Sequence, residues 1–339
     1  MAKMTIAEAL RQAIREEMRR DERVFCIGED IDIDGGFGGA FTVTLGLSKE
    51  FGHDRILDTP ISEIMIAGAA VGAAMSGMIP IADVQYGDFL FCMMDQLVNQ
   101  AAKMAYMSGG TVKVPMVMRA PVGATTRGAQ HAQSLEGFFT HVPGLKVICP
   151  ATAYDAKGLL KTAVRDENPV IVFEHKLLYG SKGNRAEKSA LSPVGEVPDG
   201  EYLIPFGQAI VRREGTDVTI VANLLMMYKA LEAASILEKE GISVEVIDPR
   251  TLVPFDYETV IKSIAKTSRL MIVYEDSKRN GWGAEVAAHI AEEAIYYLDA
   301  PIKRVATYDV PIPFAPVMEN YAVPSVERIV EEVRRLLKA

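Results

Sequence analysis

Four short segments set reactive or polar side chains in Gly-rich, otherwise apolar surroundings. They are Asp58-Thr59-Pro60-Ile61-Ser62-Glu63, Asp83-Val84-Gln85-Tyr86-Gly87-Asp88-Phe89, Gly128-Ala129-Gln130-His131-Ala132-Gln133-Ser134 and Arg165-Asp166-Glu167-Asn168-Pro169. Glu63 opens onto a stretch, Ile64 to Ala82, that carries no charge. A carboxylate buried there is costly unless a partner donates to it. The first turn of a helix also stabilises a carboxylate through its dipole, so catalysis and helix capping both account for Glu63. His131 lies between Gln130 and Gln133 in a loop rich in Gly and Ala, where an imidazole could act as an oriented acid or base. A satisfied structural histidine is the other reading.

Several familiar ligand patterns fail on inspection. Asp30-x-Asp32-x-Asp34-Gly35 opens like a calcium loop, but its twelfth position is Phe41 where a bidentate Glu is required. Gly36-x-Gly38-x-x-Phe41 lacks the third glycine of a dinucleotide fingerprint, and no Gly-x-x-x-x-Gly-Lys-Ser/Thr phosphate loop occurs. Residues 30–41 read instead as a turn after a strand.

The elements that must position these groups follow an α/β alternation. Thr5-Ile6-Ala7-Glu8 is a capping box, followed by Ile6, Leu10, Ile14 and Met18 at helical spacing. β-rich runs are expected at 23–28, 79–85, 115–120, 145–150 and 169–174, with helices at 63–76, 90–108 and 154–165. Gly, Pro, Ser and charged residues then dissolve the pattern, which predicts domains at 1–185 and 206–339 joined by a linker at 186–205. Beyond it, strands are expected at 217–222, 243–248, 270–275 and 303–307. Helices are expected at 227–240, 257–266 and 284–298, and a last one from Ser325. The fold class is therefore α/β with two domains, each a parallel sheet covered on both faces.

Composition narrows the function classes. The chain has 339 residues with a formal charge of -9, against which a nucleic-acid or other polyanion surface is not expected. Cys26, Cys92 and Cys149 are odd in number and form no Cys-x-x-Cys, which fits a reducing cytosol. No export signal is read at the N-terminus. The uncharged stretch from Ile64 approaches membrane-spanning length, but Ser76-Gly77 and Pro80 break it and Glu63 and Asp83 bracket it. It is expected to fold as a buried helix and strand, with Gly68 and Gly72 admitting another backbone.

Taken together, Thr59-Pro60-Ile61-Ser62-Glu63, the run Asp95 to Lys103, Tyr106-Met107-Ser108-Gly109-Gly110, Ala129-Gln130-His131, Pro143-Gly144-Leu145-Lys146-Val147 and Asp155-Ala156-Lys157-Gly158-Leu159 form a specific set. So do Asp248 to Pro254, Gly283-Ala284-Glu285 and Asp309-Val310-Pro311-Ile312-Pro313 past the linker. Over nearly its whole length the chain resembles the β subunit of the thiamine-diphosphate-dependent 2-oxo acid dehydrogenases. The resemblance implies a pyrimidine-binding domain, then a transketolase C-terminal-like domain. Glu63 matches the family's glutamate that contacts N1′ of the cofactor's aminopyrimidine, where a held proton favours the tautomer that deprotonates the thiazolium carbon. Phe89 would pack on that ring, Gln85 would lie beside it, and Ile61 would add a backbone contact. His131 matches a histidine that orients the substrate carboxylate or protonates the lipoyl sulfur. Asp166 and Asn168, with the backbone of Met116 and Ala163, match a potassium site of some members, although Asp166-Glu167-Asn168-Pro169 also reads as a plain turn.

The resemblance also implies what is missing. The Gly-Asp-Gly segment and Asn pair that hold Mg2+ and the diphosphate in this cofactor class are absent here, since Gly87-Asp88 is followed by Phe89. An α subunit in an α2β2 heterotetramer would supply them, and a dihydrolipoyl acyltransferase core with its lipoyl domains would take the acyl unit. Two departures stand out: Ala222-Asn223-Leu224 replaces a Thr-Tyr-Gly-like turn, and Ala132 replaces a common Ser beside His131. Pyruvate, branched-chain 2-oxo acids and acetoin all remain open as substrates, with Glu174 to Tyr179 resembling the acetoin and pyruvate types. Half of a split transketolase, and a non-catalytic docking subunit for the acyltransferase core, are the alternatives.

Overall fold

The computed structural model describes residues 1–32, 38–180, 191 and 193–339. The Asp34-Gly35 part of the rejected calcium pattern, the first domain limit at 185 and the start of the expected linker lie outside them. The first strands are β1 (Ala2–Met4), β2 (Val24–Glu29), β3 (Ile56–Thr59), β4 (Ile79–Asp83), β5 (Val117–Val122), β6 (Lys146–Ile148) and β7 (Val170–His175). They are followed by β8 (Gly195–Val197), β9 (Ile210–Arg213), β10 (Val218–Ala222), β11 (Val244–Asp248), β12 (Thr251–Val253), β13 (Leu270–Ser277) and β14 (Lys303–Thr307).

One sheet has the order β12-β6-β7-β5-β4-β2-β3, and a second has β14-β13-β10-β11-β9. All pairs are parallel except β12 with β6 and β9 with β11. Side chains alternate between the faces of each strand: Val170 and Val172 enter one apolar cluster, Ile171 and Phe173 the other. The first cluster takes helices Ile6–Arg20, Ala153–Val164, Leu224–Glu238 and Val326–Leu336; the second takes Glu63–Met75, Tyr257–Thr267 and Trp282–Glu293. Each sheet is thus covered on both faces, and both clusters run from one sheet into the other.

The expected helices and strands form within a few residues, with informative exceptions. The Thr5 hydroxyl accepts from Glu8 N–H while Glu8 returns to Thr5 N–H, as the capping box requires. The expected helix 90–108 breaks into a 3-10 segment Gly87–Met93, a wide π turn Asp95–Ala101 and a short α-helix Ala102–Met107. β12 crosses from the second half to complete the edge of the first sheet, and β8, inside the expected linker, pairs with β1. The uncharged stretch folds as the helix Glu63–Met75 and the fully buried β4, but the helix is not buried as expected: one face packs inward while Ile64, Met65 and Met75 stay exposed. Among the described residues no helix is long and apolar enough to cross a membrane.

Candidate active site

The carboxyl ends of β2, β3, β4, β5 and β7 lie side by side, and every sequence-selected segment except Arg165–Pro169 departs from one of them. The chain passes from β2 to β3 on one side and returns to β4 on the other, so β2 ends at a switch in strand order, where open α/β sheets place their ligands. Glu29 occupies that end. Gln85 donates to the Glu29 carbonyl and to the Asp30 carboxylate, both at 3.3 Å. Burial first, then the nearby Asp30, Glu63 and Asp58 charges, raise the Glu29 pKa from its ordinary value. This places Glu63 and Gln85 around one residue that the sequence reading did not single out.

Glu63 is the first residue of its helix, half-buried, and Ser62 makes no side-chain cap. Among the described residues its carboxylate has no hydrogen-bond or ion-pair partner. Capping therefore does not occupy it, and an acceptor is left facing the switch point. Ile61, just before it, is 76% exposed.

Phe89 and His131 meet. Their ring centroids are 5.4 Å apart at 82°, and Tyr86 stands edge-on to both, at 6.0 Å from Phe89 and 5.2 Å from His131. Among the described residues the imidazole nitrogens make no hydrogen bond, so their proton chemistry is not used by the fold. The loop is held through its backbone instead: Lys176, buried at the end of β7, donates to the His131 carbonyl and lies 4.9 Å from the Tyr86 ring. Asp88 closes the floor by accepting from Gln133 N–H and its amide, the latter at 2.7 Å.

Beneath the site, Arg119 is 2% exposed and bridges Glu174, at 2.9 and 2.6 Å, and Asp83. Burial pushes Asp83 up to about 6, against the pull of Arg119. Tyr179 donates to Glu174 and stacks on Phe41 with centroids 4.5 Å apart.

A pyrimidine ring fits what is present: an aromatic face at Phe89, a free carboxylate at Glu63 and an amide at Gln85. Potassium does not fit. Asp166 and Asn168 adjoin, but the Asp166 carboxylate already receives Lys146 and, at 2.9 Å, both Asn168 donors. The Ala163 carbonyl accepts Asp166 N–H at 3.2 Å and the Met116 carbonyl accepts Val170 N–H at 2.9 Å. Among the described residues no group of three His, Cys, Asp or Glu is arranged to hold a metal ion.

Sequence reasoning missed Glu29, Tyr86 and Lys176 as site residues. Tyr86 and Lys176 sat within quoted motifs, and Glu29 directly follows the expected strand 23–28, which was its available signal.

Residues 2–182 match the family described as transketolase, pyrimidine binding domain, and residues 207–329 match transketolase, C-terminal domain. The chain is 46% identical over 338 residues to the 2-oxoisovalerate dehydrogenase subunit beta of Bacillus subtilis, covering 99% of each. It is 46% identical to the acetoin:2,6-dichlorophenolindophenol oxidoreductase subunit beta of Cupriavidus necator, covering 99% of this chain and 98% of that one. The pyruvate dehydrogenase E1 component subunit beta of Rickettsia felis is also 46% identical, with 98% of each covered. A solved split-gene transketolase, an inactive beta4 tetramer, superposes with a TM-score of 0.78 at 24% identity over 99% of both chains. With both domain models matched and these full-length relatives in agreement, the chain belongs to the β subunits of the thiamine-diphosphate-dependent 2-oxo acid and acetoin dehydrogenases, part of their E1 component.

Proposed function

We propose that this chain supplies the aminopyrimidine half of a thiamine-diphosphate site, working with an α subunit in an α2β2 heterotetramer that feeds a lipoyl-bearing acyltransferase. Residues 1–185 would carry the pyrimidine-binding role and residues 206–339 the C-terminal one. The observation that carries the reading is Glu63: a carboxylate with no partner among the described residues, at a helix start beside the sheet's switch point, sharing Glu29 as a neighbour with Gln85. When bound, the cofactor supplies a carbon nucleophile and an electron sink for the carbon–carbon cleavage of a 2-oxo acid or acetoin.

The chain's residues have separate tasks. Glu63 holds a proton at the pyrimidine N1′ position. Phe89 packs against the ring face, Gln85 hydrogen-bonds beside it, and Ile61 offers backbone contact. His131, with both ring nitrogens unused by the fold, orients the substrate carboxylate or delivers a proton to the lipoyl sulfur. The missing Gly-Asp-Gly and Asn pair assign the Mg2+ ligands to the α subunit. No potassium role is proposed, because Lys146 already meets the Asp166 charge.

An outer apolar surface supports the subunit partner. On the helix Glu63–Met75, Ile64 is 59% exposed, and a Cβ at Gly72 would meet nothing within 4 Å. On the helix Ala102–Met107, Tyr106 is 90% exposed. The free Cys26, Cys92 and Cys149 support a cytoplasmic location. The test is co-expression with the cognate α subunit and assay of thiamine-diphosphate- and Mg2+-dependent acceptor reduction with pyruvate, branched-chain 2-oxo acids and acetoin. Activity that needs both chains and one of these substrates is expected. Full activity of this chain alone would overturn the reading.

A further inference from the structure

The loop that carries His131 has no regular structure of its own, yet it is closely held. Its neck closes where Gly123 N–H donates to the Gln133 carbonyl at 3.1 Å. Gly123 has a φ of +100°, and a Cβ there would lie 2.1 Å from His175 Nε2, so the loop begins in direct contact with the end of β7. From that point its backbone is gripped by carboxylates of the C-terminal half. Glu275 places Oε2 3.0 Å from His175 Nε2 and Oε1 on Ala124 N–H. Two residues on, Thr126 N–H meets both oxygens of Glu319, at 3.0 and 2.7 Å. Past His131, Asp276 accepts from Gly137 N–H at 2.9 Å.

Glu319 stands out in this set. Thr126 is a non-glycine residue at φ +58°, a left-handed conformation that persists only where surroundings enforce it. The forked carboxylate is the group that enforces it. Glu319 is 5% exposed, and its helix Pro316–Ala322 ends on Val323, whose N–H bonds the Glu319 carbonyl. Val323 and Ile312 form an apolar cluster with Ala124 and Ala132, and Ala132 is the neighbour of His131. Glu319 also lies within the electrostatic reach of Lys176, the residue that donates to the His131 carbonyl. The same C-terminal segment thus meets the loop on both sides of the imidazole.

We propose that Glu319 is a positioning residue for His131: by fixing Thr126 and its loop it sets the imidazole against Phe89 and Tyr86 without touching substrate. The proposal rests on the assignment of His131 to the reaction. It gives the C-terminal half a share in the chemistry, because a small displacement of an acid–base group can cost about 10²-fold in rate.

The test is a double-mutant cycle in the assembled heterotetramer with thiamine diphosphate and Mg2+, reading kcat and KM for transfer to a lipoylated domain, cofactor affinity and melting temperature. Glu319→Ala is expected to lower kcat about tenfold or more with cofactor affinity unchanged, and Glu319→Gln, which keeps one acceptor oxygen, to recover most of it. In a His131→Asn background, Glu319→Ala should cost nothing further. Independent, additive losses, or an unchanged kcat in a folded Glu319→Ala enzyme, would overturn the proposal. If Glu319→Ala does not assemble, Glu319→Asp, whose shorter side chain draws the carboxylate away from Thr126 N–H, replaces it in the same cycle and is judged by the same criterion. A His131→Asn enzyme as active as its parent would remove the underlying reading and this proposal with it, whereas an impaired His131→Asn beside an unaffected Glu319 variant removes only the latter.

Discussion

The His131 and Phe89 rings stand at 82° to each other with centroids 5.4 Å apart, so one phenyl ring serves two partners, the imidazole and the aminopyrimidine proposed to pack on it. An edge-to-face pair contributes about 0.5–1.5 kcal/mol beyond area burial. Phe89→Leu keeps an apolar contact but loses the pair. It should weaken thiamine-diphosphate affinity by about 2- to 10-fold and lower kcat together, read by cofactor titration of the heterotetramer and steady-state assay.

Glu63 separates function from folding. With no partner among the described residues, Glu63→Gln should leave the unfolding free energy within about 0.5 kcal/mol of the parent. Activity should fall by about 10²- to 10⁴-fold, the usual scale for losing a positioned proton-transfer group. A urea titration beside an activity assay checks both; a large stability loss would show that the carboxylate is structural.

Arg119 behaves in the opposite way. Arg119→Met would leave Asp83 and Glu174 buried and without their guanidinium. Breaking such a pair costs about 3–5 kcal/mol, so the variant should unfold at markedly lower denaturant concentration.

A pH dependence follows from Glu136, which is 1% exposed at the start of the helix Glu136–Thr140. Burial first, then the facing Asp276 and Glu275, raise its pKa to about 8; Asn223 donates to one oxygen at 3.4 Å while among the described residues the other has no partner. Burial likewise raises Asp276. A folded-state pKa above the unfolded one means that the native state holds protons the unfolded chain has released, so stability falls as pH rises from the ordinary carboxylate range toward the raised value. Glu136→Gln removes that loss. Its melting temperature should exceed the parent's at about pH 8.5 and approach it at about pH 5, which paired thermal melts would read.

How much of this was legible varies with the distance over which each feature acts. The capping box at Thr5, the helix from Glu63 and the buried strands carry local signals and formed as expected. β12 was missed because three residues between Pro249 and Pro254 hold too little periodicity, and because its reason to extend is β6, far away in the chain. The expected helix 90–108 has apolar spacing suited to a helix, yet tertiary packing winds it through three different turn types. Within the site, Glu63, Phe89 and His131 lay on short motifs. Lys176, Glu275 and Glu319 act on backbone groups 45, 151 and 193 residues away, and a backbone N–H has no sequence identity to read.

The returning strand β12 also bears on how the chain is made. As the polypeptide leaves the ribosome, every partner of β6 except one is available before the second half exists, and its outer ladder stays bare until Thr251–Val253 emerges. An uncovered strand edge is a template for pairing with other chains. A gene cut between the halves would therefore yield a first fragment with a sticky flank, which ties the solubility of the cofactor-facing half to synthesis of the other.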